Sequence, residues 1–164
     1  MGDDTSLFNV NNDGLEVVLV LDYSGSMSGT PLAQLQAAAN SFVDMMDFGD
    51  NIGVVWFNQD ASLDYVLTEL ADVEIAGQVK TVINEADAGG MTSIGAGLLL
   101  ADDCLDAVWG QEKAIVLISD GMENTAPMVE DVTPEISCDI NLYTIAIGQA
   151  DPVQMAFLAD EVGS

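Results

Sequence analysis

The sequence predicts an α/β fold: a Rossmann-like, open and mostly parallel sheet with one short antiparallel edge strand and helices on both faces. Two observations carry this expectation. Short runs rich in β-branched residues alternate with stretches of helical periodicity along the 164 residues. Three of those runs, VVLVL, NIGVVWF and KAIVLIS, are apolar almost throughout, as strands covered on both faces are.

The elements follow in order. Residues 5–14 are polar and rich in Asn and Asp, so residues 1–15 are expected to lead into the fold and residues 16–164 to form one domain. The first strand is residues 17–21, followed by a loop to Gly29. Thr30 then suits an N-cap with Pro31 at the first helical position, and Leu32, Leu35, Ala39, Phe42 and Met46 recur at helical spacing to about Asp47. Residues 51–57 form the second strand and the alternating residues 62–67 the antiparallel one at an edge. A helix over 76–84 precedes the glycine-rich stretch 89–97. A stronger helix follows, with Ile94, Leu98, Ala101, Leu105 and Val108 on one face. Residues 113–119 are a strand, the loop DGMEN leads to a polar helical stretch ending near Ser137, and residues 141–147 are the last strand. Asp151, Pro152 and Gln154 resemble a capping box that opens a final helix through Ala159. Met45, Met46 and Trp56 are expected to fill the core.

Charge excludes whole classes of partner. The formal net charge is −26, Lys80 and Lys113 are the sole cationic side chains, and Arg and His are absent. Nucleic acid and anionic lipid are excluded, because both need Lys or Arg to meet phosphate. A solvated acidic surface keeps a protein soluble and suits high salt. No apolar run approaches the roughly 20 residues of a membrane-spanning helix, and Met1-Gly2-Asp3-Asp4 is not a secretion signal. Cys104 and Cys138 lack metal-site spacing, so they are buried thiols or one disulfide. Right-handed crossovers place their two helical segments side by side on one face of the sheet, with both cysteines toward the same end, and on that ground a bridge is expected to be able to form.

The chemistry gathers at strand ends. Asp22 closes VVLVLD and Asp120 closes AIVLISD, each passing into a glycine-containing loop. In an open α/β sheet, ligands bind outside the carboxyl ends of the strands, where connections diverge. Ser24 and Ser26 follow Asp22 in the first loop, and Thr92 sits in a second one, GGMTS, whose glycines allow close backbone approach. The donors are carboxylate and hydroxyl oxygens alone, a set that selects a hard divalent cation: Mg²⁺ foremost, or Mn²⁺ or Ca²⁺. The bland alternative is that Asp22 and Ser24 cap their own loop and Thr92 caps the next helix. Tyr23 and Glu123 flank this set and are expected to pack or face solvent.

With these residues placed, residues 16–163 resemble the von Willebrand factor A domains, which include the integrin inserted domains. Their metal-ion-dependent adhesion site matches Asp22, Ser24 and Ser26 in DYSGSM, Thr92 in GGMTSIGAG and Asp120 in SDG. The resemblance implies one divalent cation whose open coordination position takes an acidic group of a protein partner. It also implies a monomeric domain of a larger extracellular or cell-surface protein. The cytoplasm of a salt-adapted organism is the alternative location, and assembly with a chelatase or other ATPase machine the alternative role. Family members continue into a final strand and terminal helix that this chain is expected to lack.

Enzymatic readings are disfavoured. Without histidine there is no Ser-His-Asp arrangement, and neither a GxxxxGK[ST] loop nor an HExxH motif is present. An aspartyl phosphotransferase using Asp22 and Mg²⁺ is the strongest rival, but that chemistry also calls for a lysine over the phosphate.

Overall fold

The computed structural model describes residues 14–109, 111–148 and 150. Residues 1–13 of the leader, the helix expected over 151–159 and both chain ends lie outside the described residues, while Leu15 already packs against the core.

Five strands form one sheet in the order β3-β2-β1-β4-β5. They are β1 (Glu16–Asp22), β2 (Asn51–Phe57), β3 (Ala61–Glu69), β4 (Lys113–Ser119) and β5 (Ile140–Ala146). β1 is central. It pairs parallel with β2, from Glu16 opposite Asn51 to Asp22 opposite Phe57, and parallel with β4, from Glu16 opposite Lys113 to Leu21 opposite Ile118. β4 pairs parallel with β5. β3 is the antiparallel edge strand, joined to β2 by a tight reversal, and runs longer than its alternating residues indicate.

The helices divide between the faces. On one face α1 (Thr30–Met45) and α2 (Val73–Glu85) cover Val17, Leu19, Leu21, Ile52, Val54, Val116 and Ile118 through Leu35, Ala39, Val43, Val79 and Ile83. On the other, α3 (Ile94–Asp106) and the short α4 (Val129–Val132), which continues into a 3-10 turn, cover Val18, Val20, Val55, Phe57, Ile115 and Leu117. Successive residues of β1 and β4 point alternately into the two layers, which is why both strands are apolar without interruption.

Several local expectations shift. Gly29, not Thr30, is the N-cap of α1, and Asp72, accepting from Glu74 N and Ile75 N, starts α2 earlier than the hydrophobic pattern suggests. Met46 and Trp56 pack against the core, but Met45 is 74% exposed, because one helical step turns it about 100° away from that face. The polar helical stretch is a single turn with a 3-10 extension.

The cysteine bridge is not formed: Cys104 and Cys138 are free. The two segments are neighbours, as handedness requires, for Ser137 N donates to Asp102 Oδ1 and Ser137 Oγ to Asp106 Oδ1. Asp102 and Asp106 therefore face the second segment. Cys104, midway between them in sequence, is rotated about 200° from each around α3 and packs toward the sheet instead.

Candidate metal centre

The sheet order places the diverging connections at β1 and β4. β1 leaves toward β2 through α1, and the chain returns through α3 to β4 on the other side. Asp22 ends β1 and Asp120 follows β4, so both carboxylates stand at the switch point.

Asp22 is fully buried. Its Oδ1 accepts from Ser24 N at 2.9 Å, and its Oδ2 accepts from Ser119 Oγ at 2.5 Å. Ser24, also fully buried, lies with its Oγ 3.1 Å from the Oγ of exposed Ser26. The second loop is fastened to the first by Gly25 N donating to Gly90 O at 3.0 Å and Gly89 N to Tyr23 O at 2.8 Å. Gly90 has φ +84°, a left-handed conformation that a side chain would strain, so glycine suits this approach. Thr92 is buried and held by its backbone: its N donates to Asn124 Oδ1, and its carbonyl accepts from Asn124 N and Thr125 N. Its hydroxyl makes no hydrogen bond to a described residue.

Three of the five expected residues line two adjoining clefts, and buried Asp22 and Ser24 lie behind them, Ser24 against Ser26 and Asp22 within electrostatic reach of Asp120. Ser26 and Thr92 line a cleft of about 350 Å³ together with Glu123 and Asn124, and Ser26 and Asp120 line the adjoining one. The cap role weighed for Thr92 falls to its neighbour: Ser93 Oγ accepts from Ala96 N and donates to Pro127 O. Asp120 is buried and accepts from Met122 N.

Electrostatics is unbalanced here. Burial pushes the Asp22 carboxyl above its ordinary range, the Ser119 and Ser24 hydrogen bonds pull it back, and the nearby Asp120 charge raises it further. Neither lysine offers relief, since Lys80 pairs with Asp44 and Lys113 with Asp139 at the opposite end of the sheet. Among the described residues no three or more Asp, Glu or Cys side chains form a metal-ligand cluster. Two carboxylates and three hydroxyls are nonetheless an all-oxygen set with one free hydroxyl and two uncompensated charges, and that chemistry fits a hard divalent cation supplemented by water.

Other residues shape the site that the motif did not reveal. Ser119 anchors Asp22 across 97 residues of sequence, and no local pattern could expose it. Asn124 orders Thr92 from the far side of the cleft. Glu123 does more than pack: it accepts from Gly95 N and Val129 N, tying the starts of α3 and α4 together. Burial, ahead of these hydrogen bonds, leaves its carboxyl raised.

Comparison with known proteins places this geometry. The family model of the von Willebrand factor type A domain matches residues 16–163. An uncharacterized protein of Borreliella burgdorferi is 27% identical over 152 residues, 88% of this chain and 44% of that protein. The chain spans less than half the length of the curated relatives it matches. Among solved structures, a von Willebrand factor type A protein from Catenulispora acidiphila superposes with a TM-score of 0.78 at 23% identity, covering 91% of this chain and 37% of that one. Proximal thread matrix protein 1 of the mussel byssus, with a zinc-occupied MIDAS motif, superposes with a TM-score of 0.72 at 20% identity, covering 89% and 41%.

Proposed function

The chain belongs to the von Willebrand factor type A domain family, and from that premise we propose that it is a divalent-cation-dependent protein-binding module rather than an enzyme. One observation carries the reading: Asp22 and Asp120 are buried side by side at the switch point with no cationic side chain to neutralise them.

In this reading Asp22, Ser24, Ser26, Thr92 and Asp120 hold the cation, directly or through water. Ser119 and the Ser24 amide keep Asp22 oriented, and Asn124 holds the Thr92 backbone at the cleft. When bound, the cation supplies a Lewis-acidic coordination position for a carboxylate of the partner. The mussel protein's zinc-occupied motif supports a divalent ion, and the oxygen donors here favour Mg²⁺, with Mn²⁺ or Ca²⁺ as substitutes. The absence of histidine and the distance of both lysines support a binding role over catalysis. The acidic surface supports an extracellular or cell-surface setting. No helix among the described residues is long and apolar enough to cross a membrane.

The test is capture of partner proteins from cell-surface and cytosolic fractions, in Mg²⁺ and in chelator, by the wild type and by Asp120→Ala. Retention from the surface fraction that both chelator and the substitution abolish supports the proposal. Retention indifferent to both contradicts it, and metal-dependent retention from cytosol alone moves the role to intracellular assembly.

A further inference from the structure

A pocket of about 180 Å³ that shares no lining residue with the metal cleft is bounded by Tyr23, Trp56, Asn58, Asp60, Ser62 and Asp87. One wall is aromatic: half-buried Trp56, backed by the buried Tyr23 ring 4.5 Å away at 43°. Asp60 and Asp87 are exposed at its edge, and none of its lining residues is cationic. The chain cannot neutralise these carboxylates itself, because Lys80 and Lys113 are engaged by Asp44 and Asp139.

An aromatic wall beside two unpaired carboxylates discriminates among occupants. An acidic group is repelled. A purely apolar group covers the rings but strips water from the carboxylates without replacing it. A lysine or arginine side chain lays its stem along Trp56 and brings its charge to the carboxylates.

The pocket is also tied to the site loops: Tyr23 directly follows Asp22, Asn58 Nδ2 donates to Gly89 O, and Asn58 O accepts from Ser93 N. At a net charge of −26, a partner bringing a carboxylate to this face approaches against repulsion, which a basic group beside that carboxylate offsets.

We propose that the Tyr23–Trp56 pocket receives a lysine or arginine side chain of the same partner whose carboxylate enters the metal cleft, so that the recognised feature is an acid–base pair. The carboxylate half rests on the function proposed above; the basic half does not.

Two probes separate the halves. Butylammonium, titrated into ¹⁵N-labelled protein in chelator, is expected to shift the Trp56 indole and the Asn58 and Ser62 amides, with the shifts lost in Asp60→Asn/Asp87→Asn. Shifts that are absent, or that persist in that variant, overturn the basic half whatever the metal does. Peptides carrying one lysine and one aspartate at varied glycine spacings are then compared in Mg²⁺ with lysine-to-alanine counterparts. The best-spaced lysine peptide is expected to bind about tenfold tighter than its counterpart, an advantage erased in the double variant. Equal affinity of the two peptides overturns the acid–base pair. If the metal reading alone fails, the butylammonium shifts remain while acetate in Mg²⁺ leaves the Thr92 and Met122 amides unmoved.

Discussion

At the amino-terminal edge of the sheet, buried polar groups meet partners from the chain. Lys113 donates to Asp139 at 3.0 Å, Glu16 accepts from Asn51 at 2.9 Å, and Asp102 accepts from Ser137 N at 2.8 Å. At the carboxyl-terminal edge of the same strands, Asp22 and Asp120 lie buried near one another with no cation, and the Thr92 hydroxyl is left over. The strands are shared, so strand chemistry does not cause the difference. It lies in the loops: one edge sets a lysine and neutral donors against its buried acids, and the other brings two acids within reach of one another. A buried charge left uncompensated costs stability; burial raises Glu16 and Asp102 at the amino-terminal edge as well, so the edges differ in that Lys113 stands at that edge while no lysine stands by Asp22 and Asp120.

The largest effect belongs to neither edge: Leu19→Ala, which empties the core at the middle of β1 beneath α1 and α2, is expected to cost about 3–5 kcal/mol with or without Mg²⁺. Chemical denaturation checks this, and a metal-dependent cost would mean that the core and the site are not separable.

Asp120→Ala comes next and should do the reverse. Its metal-free stability changes by about 1 kcal/mol, the worth of the lost Met122 hydrogen bond. It forfeits the whole Mg²⁺ stabilisation, which is about 2.7 kcal/mol at a hundredfold excess over Kd. Thermal melts with and without Mg²⁺ distinguish the two contributions.

The third prediction concerns pH. Burial raises the carboxyls of Asp22, Glu123, Glu16 and Asp102 above their usual values. The folded state therefore holds more protons than the unfolded chain in the window just above the ordinary carboxylate pKa of about 4. Stability without metal should rise as pH falls from 7 into that window, and fall as pH climbs back through the raised values. The advantage given by Mg²⁺ should shrink over the same range, because protons compete for Asp22. Melting curves against pH, with and without Mg²⁺, test both signs.

The smallest effect is expected from Asp139→Asn. Asp139 is largely exposed, so its attraction to Lys113 is screened, and the melting temperature should change slightly and less in high salt. A large loss would show that the amino-terminal edge, too, depends on one critical charge.

The sequence made the strands and the ligand-binding edge legible for a definite reason. Residues 51–57 and 113–119 form β2 and β4 as expected, because strands buried on both faces are continuous apolar runs that nothing else in the chain imitates. Asp22, Ser24, Ser26, Thr92 and Asp120 converge because strand ends and glycine turns fix their positions locally. What stayed hidden depends on tertiary contact. Ser119 reaches Asp22, Asn124 reaches Thr92 and Glu123 reaches two helix starts, all by side-chain contacts that no periodicity encodes. The cysteine pair fails for a related reason. Crossover handedness brings the two segments together, but the angular position on α3 decides which side chain meets Ser137, and it selects Asp102 and Asp106 over Cys104.

The central claim is that the carboxyl-terminal edge is completed by one divalent cation, and calorimetric titration tests it most directly. Mg²⁺, Mn²⁺ and Ca²⁺ are titrated in turn into the wild type and into Asp22→Asn, in salt concentrated enough to screen the surface carboxylates. The account predicts saturable uptake of one ion per chain by the wild type for at least one of the three metals, and none by Asp22→Asn. No uptake of any of them by the wild type, or equal uptake by both proteins, would contradict it.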